Sequence, residues 1–149
     1  MAKTFHVEVI TPDTTVFEGD AVSLTVPAEG GSLGVLAGHA PLVSTLEVGV
    51  ACVVGADGSS SYLMIGDGFL EIRDNEVKIL AEVGERADAI DLARAEEAER
   101  RALDRLKNRQ AKDVDFSRAK ASLTRALTRI KIIRDLAPGK TRRKADAPR

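Results

Sequence analysis

The sequence predicts an α+β chain, in which an N-terminal antiparallel β-sandwich (flattened barrel) is followed by a C-terminal two-helix antiparallel hairpin. Three observations predict it. Apolar residues alternate with period two through residue 86, and from Asp88 the period becomes 3.6. Charge divides at the same place. Residues 1–86 carry 4 Lys/Arg against 13 Asp/Glu, and residues 87–149 carry 18 against 10. An acidic half joined to a basic half suggests two modules with different partners. The boundaries that follow are 1–86 for the sheet module, 87–136 for the hairpin and 137–149 for a basic tail.

In the first half, Phe5, Val7 and Val9 alternate with His6 and Glu8, Val22, Leu24 and Val26 with Ser23 and Thr25, and Leu70 and Ile72 with Glu71 and Arg73. Such alternation marks half-buried strands. Turn residues recur at Thr11-Pro12-Asp13, Glu18-Gly19-Asp20, Glu29-Gly30-Gly31, Ala56-Asp57-Gly58, Gly66-Asp67-Gly68 and Asp74-Asn75. Many short strands between such turns imply an antiparallel sandwich. With no Trp and one Tyr, core volume comes from Val, Leu, Ile and Ala. The lone Cys52 excludes an intramolecular disulfide, fits a reducing compartment, and is expected to be a small buried hydrophobe.

In the second half, Asp88 is the expected N-cap, with Asp91 three residues on. Leu92, Ala95, Ala102, Leu103 and Leu106 share one side of the first helix. Glu99 intrudes on that side and is expected to need an arginine of the second helix. Residues 108–115 break the pattern, with Asp113 or Asp115 as the next cap. Phe116, Ala119, Leu123, Ala126, Leu127, Ile130 and Ile133 form the second stripe, which Pro138-Gly139 ends. The basic, apolar-poor residues 140–149 are expected to be disordered. Arg118, Arg125 and Arg129 line one face of the second helix, and Asp91, Arg94, Arg101 and Arg105 one flank of the first. Two such rows suit phosphate oxygens, and equally suit a solvated face.

Several chemistries lack their residues. Gly30, Gly31 and Gly34 come without G-K-[ST] or G-x-G-x-x-G and are expected to make tight turns. His39, between Gly38 and Pro41, has no nucleophile or acid in a recognisable arrangement, and is expected to pack in a loop or meet a partner. His6 is expected to be solvated. Two histidines and one cysteine make no metal site, so no metal and no obligatory cofactor is expected. No apolar run approaches ~18 residues, so no span is expected, and the start at Met1 runs into a strand without a targeting pattern.

The motifs resemble the ε-subunit family of bacterial F-type ATP synthase over residues 3–136. The resemblance is carried by Phe5-His6-Val7-Glu8-Val9-Ile10-Thr11-Pro12, by Leu33-Gly34-Val35-Leu36-Ala37-Gly38-His39-Ala40-Pro41-Leu42, by Gly66-Asp67-Gly68-Phe69-Leu70-Glu71-Ile72, by Asn75-Glu76-Val77-Lys78-Ile79-Leu80-Ala81 and by Ile90-Asp91-Leu92-Ala93-Arg94-Ala95. It implies a sandwich of about ten strands that joins the γ subunit to the c-ring in the rotor. Partner contacts would lie at Glu29, Gly30, Ser32, His39, Ala40 and Pro41. The chain would be a non-catalytic subunit on the cytoplasmic face of the bacterial inner membrane, reaching the membrane only through the complex. Its hairpin would permit ATP hydrolysis when folded and block it when extended into the α/β catalytic head. There Arg118, Lys120, Arg125, Arg129 and Lys131 would meet acidic segments, a contact that steers and registers more than it binds.

In some members the I-D-x-x-R-A motif binds ATP as a regulatory ligand. The matching residues here are Glu85, Ile90, Asp91, Arg94, Ala95 and Arg101, with Arg125 and Arg129. Two departures stand out. Ser32 replaces an acidic residue common in the family, which argues against a charge contact to the c-ring there. Ala37 stands where Pro is usual. Two rival readings use the hairpin differently, as an isolated nucleotide-binding or nucleic-acid-binding module. Against nucleic acid, the arginine rows have no interleaved aromatics and the sheet is acidic. Against a nucleotide-using enzyme, there is no phosphate loop or metal-binding acid pair.

Overall fold

A computed structural model describes residues 2–108 and 115–137 of the chain. It divides into two compact units, Met1–Ala87 and Asp88–Arg149. Residues 109–114 of the expected break at 108–115, with the alternative cap Asp113, the Pro138-Gly139 stop and the basic tail, lie outside the described residues.

The first unit contains ten strands among the described residues: β1 (Phe5–Ile10), β2 (Thr15–Ala21), β3 (Ser23–Ala28), β4 (Gly31–Val35), β5 (Leu42–Leu46), β6 (Gly49–Val54), β7 (Ser60–Ile65), β8 (Gly68–Arg73), β9 (Glu76–Ala81) and β10 (Gly84–Arg86). They form one continuous path, β10-β7-β6-β3-β5-β8-β9-β1-β2, with β4 added to β3. Every pairing is antiparallel except β1 with β9. That parallel pair is a departure from the expected all-antiparallel sheet. It arises because β1 is inserted between β9 and β2, joining the first and last parts of the sheet.

The path almost closes on itself. A Cβ placed on Gly84 of β10 would sit 3.1 Å from Thr11 Cγ2 and 3.4 Å from Val16 Cγ2, so glycine lets β10 lie against the start of β2. Folding the sheet over buries one side of each strand. Phe5, Val7 and Val9 of β1, Leu24 and Val26 of β3, Leu70 and Ile72 of β8, and Val77 and Ile79 of β9 form the core with Leu63 and Ile65 of β7. Each such aliphatic side chain contributes about 1.5–3 kcal/mol on burial. The period-two reading therefore selected the inward residues correctly at β1, β3 and β8.

Three local expectations are corrected. Cys52 is half-buried rather than in the core, because on β6 the inward positions are Ala51 and Val53. Gly34 lies inside β4 opposite Thr25, not in a turn, although Gly30 does turn the chain with φ of 81°. Val22 falls in the bend before β3 and is only half-buried.

In the second unit, a 3-10 turn at Ala87–Ala89 precedes α1 (Leu92–Lys107), and α2 (Phe116–Lys131) runs into a π-helical turn at Ile132–Leu136. The α1 cap is Asp91, not Asp88. Asp88 lies in the 3-10 turn, and the Asp91 carboxylate accepts from the Arg94 N–H at 3.2 Å. Asp115 caps α2 as expected, accepting from Arg118 N–H at 3.1 Å. The buried positions are small: Ala95 and Ala102 on α1, Ala119 and Ala126 on α2, with Ile130. Leu103, Phe116 and Leu127 of the expected stripes remain exposed. At the π turn the Ala137 N–H reaches the Ile132 carbonyl at 2.8 Å. A 3.6-residue wheel does not hold through such a turn, and Ile132, left out of the stripe, is fully buried beside Ile133.

Candidate functional site

Two groups of residues are candidates, one in each unit. In the first unit, β5, β8, β9 and β1 place Thr45 opposite Phe69, Phe69 opposite Leu80, and Leu80 opposite Ile10. The alternation that buries Leu70 and Ile79 turns these residues outward. Val43, Phe69 and Leu80 are 71%, 57% and 54% exposed, and Ile10 is half-buried. Phe69, Leu80 and Ile10 share one cross-strand row, with Val43 two residues along β5 opposite Glu71, and an apolar patch of this kind on an outer face is a candidate interaction surface. Sequence reasoning missed it: Phe69 and Leu80 entered only as parts of longer motifs, and Val43 was not singled out.

Next in sequence to β5 is the segment between β4 and β5. Residues 36–39 form a tight turn closed by the His39 N–H to the Leu36 carbonyl at 3.2 Å, with Gly38 at φ of 79°. Leu36 is 64% exposed. His39 is half-buried, with Nδ1 2.7 Å from the Ala40 carbonyl, which fits the expected loop role. Ala40 and Pro41 are exposed. Glu29 and Gly30 sit at the β3–β4 turn and Ser32 on β4, all three exposed. Glu29 accepts from the Thr45 hydroxyl at 3.1 Å.

His6 is not simply solvated. Its ring bridges two carboxylates of the neighbouring strand, with Nδ1 3.0 Å from Asp20 and Nε2 3.2 Å from Glu18. The hydrogen bond to Asp20, then that to Glu18, holds the imidazole pKa above 6.5. Across β1, Glu76 stands opposite His6, and Lys78 opposite Glu8. Among the described residues no group of His, Cys, Asp and Glu is placed to hold a metal ion. No helix among them is long and apolar enough to cross a membrane.

In the second unit Ile90 and Ala95 are buried, Asp91 is committed to its cap, and the side chains of Arg94 and Arg101 are exposed. Arg101 pairs with Glu97 one turn back at 3.1 Å. Arg125 is half-buried and donates to the Ser122 hydroxyl at 3.4 Å. Arg129 is also half-buried. Glu85 lies on β10 of the first unit. The basic residues of α2 do not form a single face. At 100° per residue, Lys120 and Lys131 lie about 200° round from the row of Arg118, Arg125 and Arg129. Glu99 is half-buried, and among the described residues it makes no ion pair with an arginine of α2. The glutamate of α1 that meets an arginine beyond α2 is Glu96, with Arg134 of the π turn.

Comparison with known proteins follows the same division. Residues 4–87 match the family model "ATP synthase, Delta/Epsilon chain, beta-sandwich domain", and residues 88–134 match "ATP synthase, Delta/Epsilon chain, long alpha-helix domain". The chain is 44% identical over 108 residues to the ATP synthase epsilon chain of Priestia megaterium, covering 72% of this chain and 80% of that one. It is 43% identical over 107 residues to the epsilon chain of Koribacter versatilis, covering 72% and 75%. The fold is similar to a chain in the Euglena gracilis mitochondrial ATP synthase structure of OSCP, F1 and c-ring, with a TM-score of 0.69 at 22% identity over 81% of this chain and 76% of that one. A chain of the Tetrahymena thermophila central stalk and c-ring gives 0.51 at 13% identity, over 87% and 92%.

Proposed function

The chain belongs to the ATP synthase epsilon-chain family, a non-catalytic subunit of that enzyme, and from that premise we propose that it is a rotor subunit joining γ to the c-ring of a proton-translocating bacterial synthase. Its place would be peripheral, at the cytoplasmic face of the inner membrane. The observation that carries this is the exposed apolar patch of Val43, Phe69 and Leu80 beside the charged Glu71–Lys78 pair, with the Leu36 turn leading into β5. A face of that kind needs a permanent partner, and in this family γ is the candidate. The 36–41 loop, with Leu36, His39, Ala40 and Pro41, reaches toward γ and the c-ring, while Ser32 offers the ring no charge.

The second unit is proposed as a regulatory hairpin. Its buried positions are mostly alanines, which bury little apolar area and so cost little to separate. An element held by such modest contacts suits a two-state switch. ATP would bias it toward the folded form by binding that form better. The exposed Arg94 and Arg101 are available to phosphates, because the surface pair Arg101–Glu97 is worth only about 0.5 kcal/mol. In the extended form, Arg118, Arg125 and Arg129 would meet the catalytic head as one row, and Lys120 and Lys131 as another.

Two measurements on the full chain test this. Binding to isolated γ by calorimetry should give a one-to-one complex, and no complex would overturn the rotor reading. ATP titration beside an Arg94→Ala variant should show saturable binding that the variant loses. No heat at millimolar ATP would remove the nucleotide role and leave the rotor role standing.

A further inference from the structure

Asn75 makes contacts that neither the core nor the proposed partner surface explains by itself. It stands at φ of 60° in the turn between β8 and β9, after Asp74 at 52°. Its Oδ1 accepts from the Gly38 N–H at 2.9 Å, and its Nδ2 donates to the Thr4 carbonyl at 2.8 Å. Its own carbonyl accepts from the His6 N–H at 3.1 Å. One exposed residue thus ties the 36–39 turn to the start of β1 and to the β8–β9 hairpin.

The side-chain requirements are narrow. The position needs left-handed backbone, an acceptor for Gly38 and a donor for Thr4. Asparagine tolerates the first and carries both of the others. Aspartate has no donor, and glycine has neither group.

The turn that Asn75 holds lacks one of the residues that would pre-set it. Closure by the His39 N–H to the Leu36 carbonyl, with Gly38 at φ of 79° in third position, is the pattern of a type II turn. Proline pre-sets the second position of that turn, but here the residue is Ala37. The turn presents Leu36, the exposed apolar side chain at its start. We infer that Asn75 is the positioning residue of the partner-binding loop, clasping Gly38 so that Leu36 and His39 are preformed for docking. This rests on the proposal that the loop docks on γ. A preformed loop binds more tightly because less ordering entropy is lost on association.

The test uses the full chain and purified γ, with four variants: Asn75→Gly, Asn75→Asp, Ala37→Pro combined with Asn75→Gly, and Leu36→Ser. Asn75→Gly keeps the backbone conformation and removes both side-chain bonds. It should speed exchange of the Gly38 amide and weaken γ binding about tenfold, the scale of one lost hydrogen bond, with the core amides of Val7 and Ile79 still protected. Asn75→Asp retains the Gly38 bond and should retain most of the affinity. Ala37→Pro pre-sets the turn by another route and should restore binding to the glycine variant, a rescue that a purely structural role for Asn75 does not predict. If Asn75→Gly frees the Gly38 amide but binds γ unchanged, or if Ala37→Pro fails to restore a lost affinity, the positioning role is overturned. Leu36→Ser separates this from the reading beneath it. Lost binding there with none lost in Asn75→Gly refutes the clasp alone. Unchanged binding in both variants refutes the docking loop and the clasp together.

Discussion

Gly68→Ala isolates how closely β8 and β9 must approach to build the outward row. A Cβ on Gly68 would fall far inside van der Waals contact distance of the Leu80 carbonyl oxygen and 2.8 Å from Ala81 Cα. Both obstacles are backbone, so no rotamer change relieves them. The strands must part at the Gly68–Ala81 pair, beside the 2.8 Å bond from the Glu82 N–H to the Asp67 carbonyl. Overpacking of this kind costs about 1–3 kcal/mol, and weakening a ladder bond adds about 1 kcal/mol. Against this, alanine gains about 0.5–1 kcal/mol over glycine in a strand. The expected loss is about 1–3.5 kcal/mol, centred on ~2 kcal/mol, or roughly 8–16 °C in Tm at that centre for a unit of this size. Thermal unfolding followed by circular dichroism measures it. Gly34→Ala is the matched control. That glycine is also in a strand, has nothing within 4 Å of the added carbon, and should be neutral or slightly stabilising. If Gly68→Ala melted within about 2 °C of the parent, the backbone approach that carries Phe69 and Leu80 would not be the constraint described.

Further expectations follow from the same geometry. Because the folded pKa of His6 is raised by Asp20 and then Glu18, its stabilisation is complete below the unfolded value of 6.5 and is lost as pH rises through the folded value. NMR titration of the ring should show the raised midpoint, and His6→Gln should flatten stability against pH across that window. Asp91→Ala should destabilise the start of α1 by about 1 kcal/mol, read as faster exchange of the Arg94 amide; unchanged exchange would deny Asp91 the cap. Phe69→Ser with Leu80→Ser should leave stability within about 0.5 kcal/mol, since both are exposed. The same pair should weaken γ binding at least about tenfold; full affinity would show that γ docks elsewhere.

Local pattern alone was enough to place the strand-rich half, the two helices and the apolar side of most of them. Period two picked out Phe5, Val7, Val9, Leu70 and Ile72 because strand geometry repeats every second residue. Asp113 and Asp115 marked the start of α2 because only a few side chains can satisfy a helix's first N–H groups, and the structure uses Asp115. Local rules decided less where two signals competed. Asp88 and Asp91 are both sensible caps, and the chain spends the first on a 3-10 turn. The contacts behind the proposed docking surface were not legible. Asn75 reaches Gly38 and Thr4, residues 37 and 71 positions away, and no periodicity records a hydrogen bond across such a separation. The choice of Glu96 over Glu99 for Arg134 depends on where the helix leaves its 3.6-residue period at Ile132. The outward patch of Val43, Phe69 and Leu80 exists only once register sets Phe69 beside Leu80 and brings Val43 of β5 next to β8. Pattern fixes the face of each strand, but only the packed sheet decides which faces become neighbours.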